Sequence, residues 1–209
     1  LERTWHWLTN IFLHGDFGTT VHNSPVLQEI LVRAGVSLKL LLIGSIIGAI
    51  LGVILGVWGA VKQYKASDQV VTYASYLIIA TPTFVIGVIL MIIATGFNNA
   101  LGTTLIRFSG DYSANIDPGF IPWFTDQVSH MLLPTLALVL MGAATYSRYQ
   151  RSVMLDVLAS DFIRTARSKG RTRRTALVKH GVRVALIPMS TYFAYAFGTL
   201  VAGSSMLEV

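Results

Sequence analysis

The sequence predicts an all-α fold, a polytopic helical bundle in a membrane, and three observations predict it. Of its 209 residues 53% are hydrophobic and only 12% are charged, about half the roughly 25% charge of a soluble domain. Four apolar runs, 36–61, 70–96, 128–147 and 184–207, hold no Asp, Glu, Lys or Arg except Lys39. Each is long enough to cross about 30 Å of hydrocarbon at roughly 1.5 Å per helical residue. The segments between them sort by charge. Residues 62–69 carry Lys62, Lys65 and Asp68, and 148–183 carry ten Lys or Arg against Asp156 and Asp161; 1–35 and 97–127 together carry three basic residues against six acids. The positive-inside rule puts the first pair in the cytoplasm and the second pair outside, as alternation along four spans requires. The formal charge of +6 therefore reads as orientation, and no nucleic-acid partner is needed to explain it. The lack of cysteine excludes disulfides and thiolate chemistry.

Residues 1–35 hold Trp5, Trp7, GDFG at 15–18 and SPVLQEI at 24–30, which predicts a short amphipathic helix after Pro25. His14 and Asp16 have no partner at ligand spacing, so neither a metal site nor catalysis is expected there. The chain starts at LERTWHWL without an initiator methionine and stops at SSMLEV, as expected of a fragment.

In the first span Gly44, Gly48, Gly52 and Gly56 recur every four residues. Such a stripe lets another helix backbone come close. A helix of the same chain and a second subunit would serve equally. Lys39 near the start of that span suits a side chain that lifts its ammonium to the headgroups. The second span carries Pro82 between Thr81 and Thr83. A mid-span proline bends a helix and frees a carbonyl that a threonine can satisfy, so Thr81 and Pro82 are candidate gating residues. Pro134 and Pro188 lie near the starts of the third and fourth spans. In the fourth, Tyr192, Tyr195 and Thr199 follow three- and four-residue steps and share a face, a candidate pathway wall. Residues 97–127 are rich in Gly, Asn, Asp and Pro, with Phe120, Trp123 and Phe124 forming an aromatic belt before the third span.

No span contains a carboxylate, whereas ion-coupled carriers usually keep a titratable group at bilayer depth. No GxSxG, HExxH or Walker A string occurs, so neither a catalytic residue nor a bound cofactor or metal is expected on this chain.

The stretch 152–188 is the most informative. Ser160 is a plausible N-cap, Asp161 suits the dipole and Gly170 is a plausible stop, which bounds a helix of about ten residues. Leu158, Phe162, Ile163 and Ala166 gather on one side of it, Arg164, Arg167 and Ser168 on the other. Thr172 can cap a second helix. A separately capped amphipathic helix between spans is either a surface float or a plug for a soluble partner.

This string, with LPTLALVLMGAATYSRYQRSVMLDVLASDFIRTARSKG, GDFGTT, SPVLQEI, the glycine-rich span and TPTFVIGVIL, resembles the permease subunits of bacterial ABC importers, in the branch that handles dipeptides, oligopeptides and nickel. Arg164, Thr165 and Ala166 take the places of the Glu-Ala-Ala triplet of that family's cytoplasmic coupling loop, and Gly170 that of its glycine. Arginine and threonine replace the first two members, as is usual in the peptide branch, and Val184 stands where asparagine is frequent.

The resemblance implies a type I-like importer domain of about six spans, with the second to fifth present here. It implies an inner-membrane, multi-pass permease in a bacterial cell, paired with a homologous permease and two ATPase domains that bind ATP and magnesium, and fed by an extracytoplasmic substrate-binding protein. Asp161, Phe162, Ile163, Arg164, Thr165, Ala166, Arg167, Lys169 and Gly170 would then form the ATPase contact, with Phe162, Ile163 and Ala166 supplying apolar surface. The expected cargo is a dipeptide or oligopeptide. A nickel importer of the same family and an ion-coupled carrier without ATPases are the alternatives.

Overall fold

The computed structural model describes residues 2–20, 23–108, 110, 113 and 118–207. Its helices are α1 (Glu2–His14), α2 (Val26–Val61), α3 (Ala66–Ala80), α4 (Thr83–Leu101), α5 (Phe120–Ala159), α6 (Asp161–Ser168), α7 (Arg173–Ala176) and α8 (Val182–Leu207), with a π-helical turn, Leu177–Gly181, between the last two. Among the described residues α2, α4 and α5 are long and apolar enough to cross a membrane.

The frame is the pairing of α2 with α5, which touch far more extensively than any other two helices. The glycine stripe makes this possible, and its partner lies in the same chain. A methyl group built on Gly44 would lie 2.8 Å from the Leu138 Cβ, and one on Gly56 would lie 2.7 Å from the Gln150 Cβ and from the Ser147 carbonyl oxygen. Gly48 meets Gly142 and Gly52 meets Tyr146. Four positions spaced by four residues on α2 thus face four positions of the same spacing on α5, one helical ridge against another. With lipid around both helices, such close backbone approach supplies the attraction that the hydrophobic effect cannot. The outer faces are apolar and open: Ile46, Ile50 and Ile54 on α2, Ile89, Ile92 and Ile93 on α4.

Several elements depart from the sequence-based expectation. The run 70–96 is two helices, because Thr81 and Pro82 both adopt extended backbone, ψ 127° and 139°. The residue before a proline is pushed out of the helical region, and here the chain breaks rather than bends. The Thr81 N–H donates to the Ile78 carbonyl at 3.2 Å and the Thr81 hydroxyl to the Leu77 carbonyl at 2.8 Å, which satisfies two of the carbonyls at the end of α3. Pro134 and Pro188, by contrast, sit inside continuous helices.

The helix after Pro25 is no separate amphipathic piece. It runs on as α2 for 36 residues, while the exposed aromatic helix is α1, with Trp5 and Phe12 uncovered. At the other end α5 continues to Ala159, so the first third of 148–183 is helix rather than loop. Ser160 stands at the N-cap position of α6, with extended backbone and its carbonyl accepting from the Arg164 N–H at 3.4 Å, but its hydroxyl turns back to the Val157 carbonyl instead of capping.

The segment after α4 is pinned by side chains that stand in for backbone. The Asn98 carboxamide donates to the Ile106 carbonyl at 2.7 Å and accepts from the Ile106 N–H at 3.1 Å. Asp126 accepts from Arg107 at 2.6 Å, from the Ser113 N–H at 2.9 Å and from the Ser113 hydroxyl at 2.6 Å. His130, one turn later, has Nδ1 at 2.9 Å from the Asp126 carbonyl oxygen, so that nitrogen carries the proton. Loop polar groups buried against a membrane helix require such partners.

Candidate functional site

The short helix α6 is held by one residue and bounded by one glycine. Ile163, 5% exposed, inserts into a cluster with Ala60 of α2, Met154 and Val157 of α5, Leu177 of the π turn and Ala185 of α8. Gly181 leaves the room, since a methyl there would stand 3.5 Å from the Ile163 Cδ1 and 3.3 Å from the Met154 Cε. At the far end Gly170 has φ +80°, a left-handed conformation open to glycine at little cost. The Arg171 N–H then reaches the Ala166 carbonyl at 3.3 Å and the Lys169 N–H the Thr165 carbonyl at 3.1 Å, a Schellman-type stop. Beyond it the Thr175 N–H donates to the Thr172 hydroxyl at 3.3 Å, capping α7.

The expected apolar side of α6 is therefore split. Ile163 faces inward and cannot offer contact surface to a partner, which corrects its assignment as a contact residue. Phe162 is 42% exposed; Thr165, Lys169 and Gly170 are exposed and Ala166 is half-buried. Asp161 and Arg164 meet at 3.3 Å with both side chains open to solvent, an arrangement that adds little stability. The Arg167 side chain lies outside the described residues. The outward surface is thus Asp161, Phe162, Arg164, Thr165 and Lys169, carried on a helix whose inward anchor joins a cluster to which α2, α5, the π turn and α8 contribute.

The residues proposed for the pathway are not brought together. Tyr192 stacks on Tyr149, 5.0 Å between ring centroids at 24°, and meets Tyr146 edge-on at 5.5 Å. It lines a cleft of about 580 Å³ between α3, α5 and α8, with Thr72, Ser75, Tyr76, Arg148 and Tyr149 among its walls. Thr81, Pro82 and Tyr195 do not line it; Tyr195 is 70% exposed, and the Thr199 side chain lies outside the described residues.

Two contacts beside this cleft had no expectation attached to them. Arg151 donates from Nε and Nη2 to the two carboxylate oxygens of Asp68, both at 2.7 Å. Asp68 also accepts from the Tyr64 N–H at 3.0 Å, and Gly59 admits it, because a methyl there would stand 3.0 Å from the Asp68 Oδ1. The Arg151 hydrogen bond holds the Asp68 carboxyl below the usual carboxylate range; burial opposes this and the Tyr64 N–H reinforces it. One turn along α5, Arg148 lies over the Tyr76 ring, 4.4 Å from its centroid. The signal for both was a lone acid in a basic loop and two arginines three residues apart just past a charge-free run.

Residues 48–209 match the family described as the binding-protein-dependent transport system inner membrane component. The oligopeptide transport system permease protein OppB of Mycobacterium tuberculosis is 48% identical over 208 residues, which is all of this chain and 64% of that protein. AppB of Bacillus subtilis, also an oligopeptide transport system permease protein, is 34% identical over 97% of this chain and 61% of its own length. The glutathione transport system permease protein GsiC of Salmonella typhimurium is 34% identical over 98% and 60%. The chain thus spans rather less than two thirds of the curated relatives it matches. An all-helical bundle with apolar outer faces, a capped short helix on one end and a family match over most of its length lead to one assignment. The chain is a membrane protein and belongs to the family of binding-protein-dependent transport system inner membrane components.

Proposed function

We propose that this chain is the pathway-forming permease subunit of an ATP-driven importer of peptides, a multi-pass protein of the bacterial inner membrane. The relatives carry the names of oligopeptide and glutathione permeases, which favours peptide cargo; neither nickel nor an ion gradient is favoured by them. ATP and magnesium belong to two partner ATPase domains, a homologous permease completes the pathway, and an extracytoplasmic protein delivers the substrate. This chain carries out no hydrolysis itself.

The observation that carries the reading is the two-sidedness of α6. Phe162 and Arg164 are exposed while Ile163 is buried in the cluster built by α2, α5, the π turn and α8. When the ATPases close, a displacement of α6 passes through Ile163 into the cluster that joins the ends of α2, α5 and α8. The Asp68–Arg151 pair ties the start of α3 to α5, so α3 follows α5. The break at Thr81 and Pro82 lets α3 turn without dragging α4, the rigid-body switching expected of alternating access.

The test is reconstitution of the assembled transporter in vesicles with ATP inside or outside. Peptide uptake that needs ATP on the ATPase side supports the reading. Uptake that persists without ATP and follows an ion gradient contradicts it.

A further inference from the structure

The cleft between α3, α5 and α8 joins two kinds of group. It has hydroxyl and aromatic walls, from Thr72, Ser75, Tyr76, Tyr149 and Tyr192, and it has a cation, Arg148. Arg151, three residues on, is neutralised by Asp68, but no described carboxylate pairs with Arg148. Its guanidinium rests instead on the Tyr76 ring. Cation–π contact orients an arginine while leaving its N–H fork unspent. Such a fork matches the two oxygens of a carboxylate, and the attraction grows where water is partly excluded. The volume of about 580 Å³ falls within the roughly 300–1,000 Å³ of sites that hold small ligands.

We propose that Arg148, seated on Tyr76, receives the C-terminal carboxylate of the travelling peptide in this cleft, with the Tyr149–Tyr192 stack lying along the adjoining residues. The proposal rests on the peptide-importer reading and adds a specific contact to it. An anionic lipid headgroup offers related chemistry, so the experiment separates the two sources.

These 209 residues contain no cysteine, so Ser152→Cys, at the edge of the cleft, gives them a single thiol, and its labelling is read on this segment. Its alkylation rate is measured in the complete transporter, in vesicles of neutral lipid, during turnover with a free-acid peptide or with the same peptide as its C-terminal amide. The expected result is slowing by the free acid of about tenfold, the equivalent of one charge-assisted hydrogen bond, weak slowing by the amide, and loss of protection with Arg148→Ala. Arg148→Lys should restore part of it. Equal protection by acid and amide, protection that survives Arg148→Ala, or protection by anionic lipid without peptide would each overturn the proposal. If the unmodified transporter takes up no peptide, the importer reading fails instead; if it does and the thiol is never protected, the cleft assignment alone fails.

Discussion

At the scale of single residues, adjacent positions on α6 carry opposite duties. Ile163→Ala removes a buried side chain from the cluster that α2, α5, the π turn and α8 build with it and should destabilise that end of the bundle by about 2–4 kcal/mol, seen as a lower Tm of the purified complex. Phe162→Ala should leave Tm within about a degree, because surface changes seldom matter to stability, while uptake falls. Equal Tm losses for the two would mean that α6 is seated differently.

Asp68 yields a pH dependence. Its folded-state pKa is lowered, so its stabilising contribution is complete above the ordinary carboxylate pKa of about 3.9 and is lost as pH drops through the folded value. Asp68→Asn should cost roughly 2 kcal/mol at neutral pH, since it leaves the Arg151 guanidinium without its counter-charge. The variant should also be less sensitive to acid than the parent below pH about 4. Melting curves across pH, with equal acid slopes for both proteins, would contradict this.

At the scale of elements, the α2–α5 ladder and the break before α4 make separate predictions. Gly56→Val places a branched side chain where a single methyl already stands 2.7 Å from the Ser147 carbonyl oxygen. The helices must then part at a cost of about 1–3 kcal/mol or more, and detergent stability should drop accordingly. Gly87→Ala, with nothing within 4 Å of the added methyl, serves as its neutral comparison. Pro82→Ala removes the residue that holds Thr81 extended. It should let α3 and α4 approach one continuous helix, so that uptake falls while the complex stays assembled; unchanged uptake would mean that the break is not a hinge.

The ladder was half legible in the sequence. The four-residue spacing of the glycines announces close packing, but nothing in a stripe of small residues names the helix opposite. Its match, Leu138, Gly142, Tyr146 and Gln150, contains one glycine and three large side chains. The end of α3 was less legible, because a proline within an apolar run is compatible with both a kink and a break. The decision comes from Thr81, which supplies its own N–H and hydroxyl to the last carbonyls.

At the scale of the whole molecule, fold class followed from charge-poor runs, and the family from the string around α6, because both are written in local composition. The orientation of side chains on α6 was not. Eight residues make little more than two turns, and which side faces inward depends on where α2, α5 and α8 converge, information held far away in the chain. The same holds for the Asp68–Arg151 pair, whose members are 83 residues apart.

The central claim is that ATPase motion enters this chain through the outward surface of α6. The most direct measurement places cysteine at position 162 in a chain that has none of its own and tests thiol crosslinking to each subunit of the assembled transporter, with and without ATP. The account predicts a crosslink to the ATPase subunit that changes in yield with nucleotide and stops uptake when formed. A position 162 that crosslinks only to lipid-facing or extracytoplasmic partners, or a bond to the ATPase that leaves uptake intact, would contradict it.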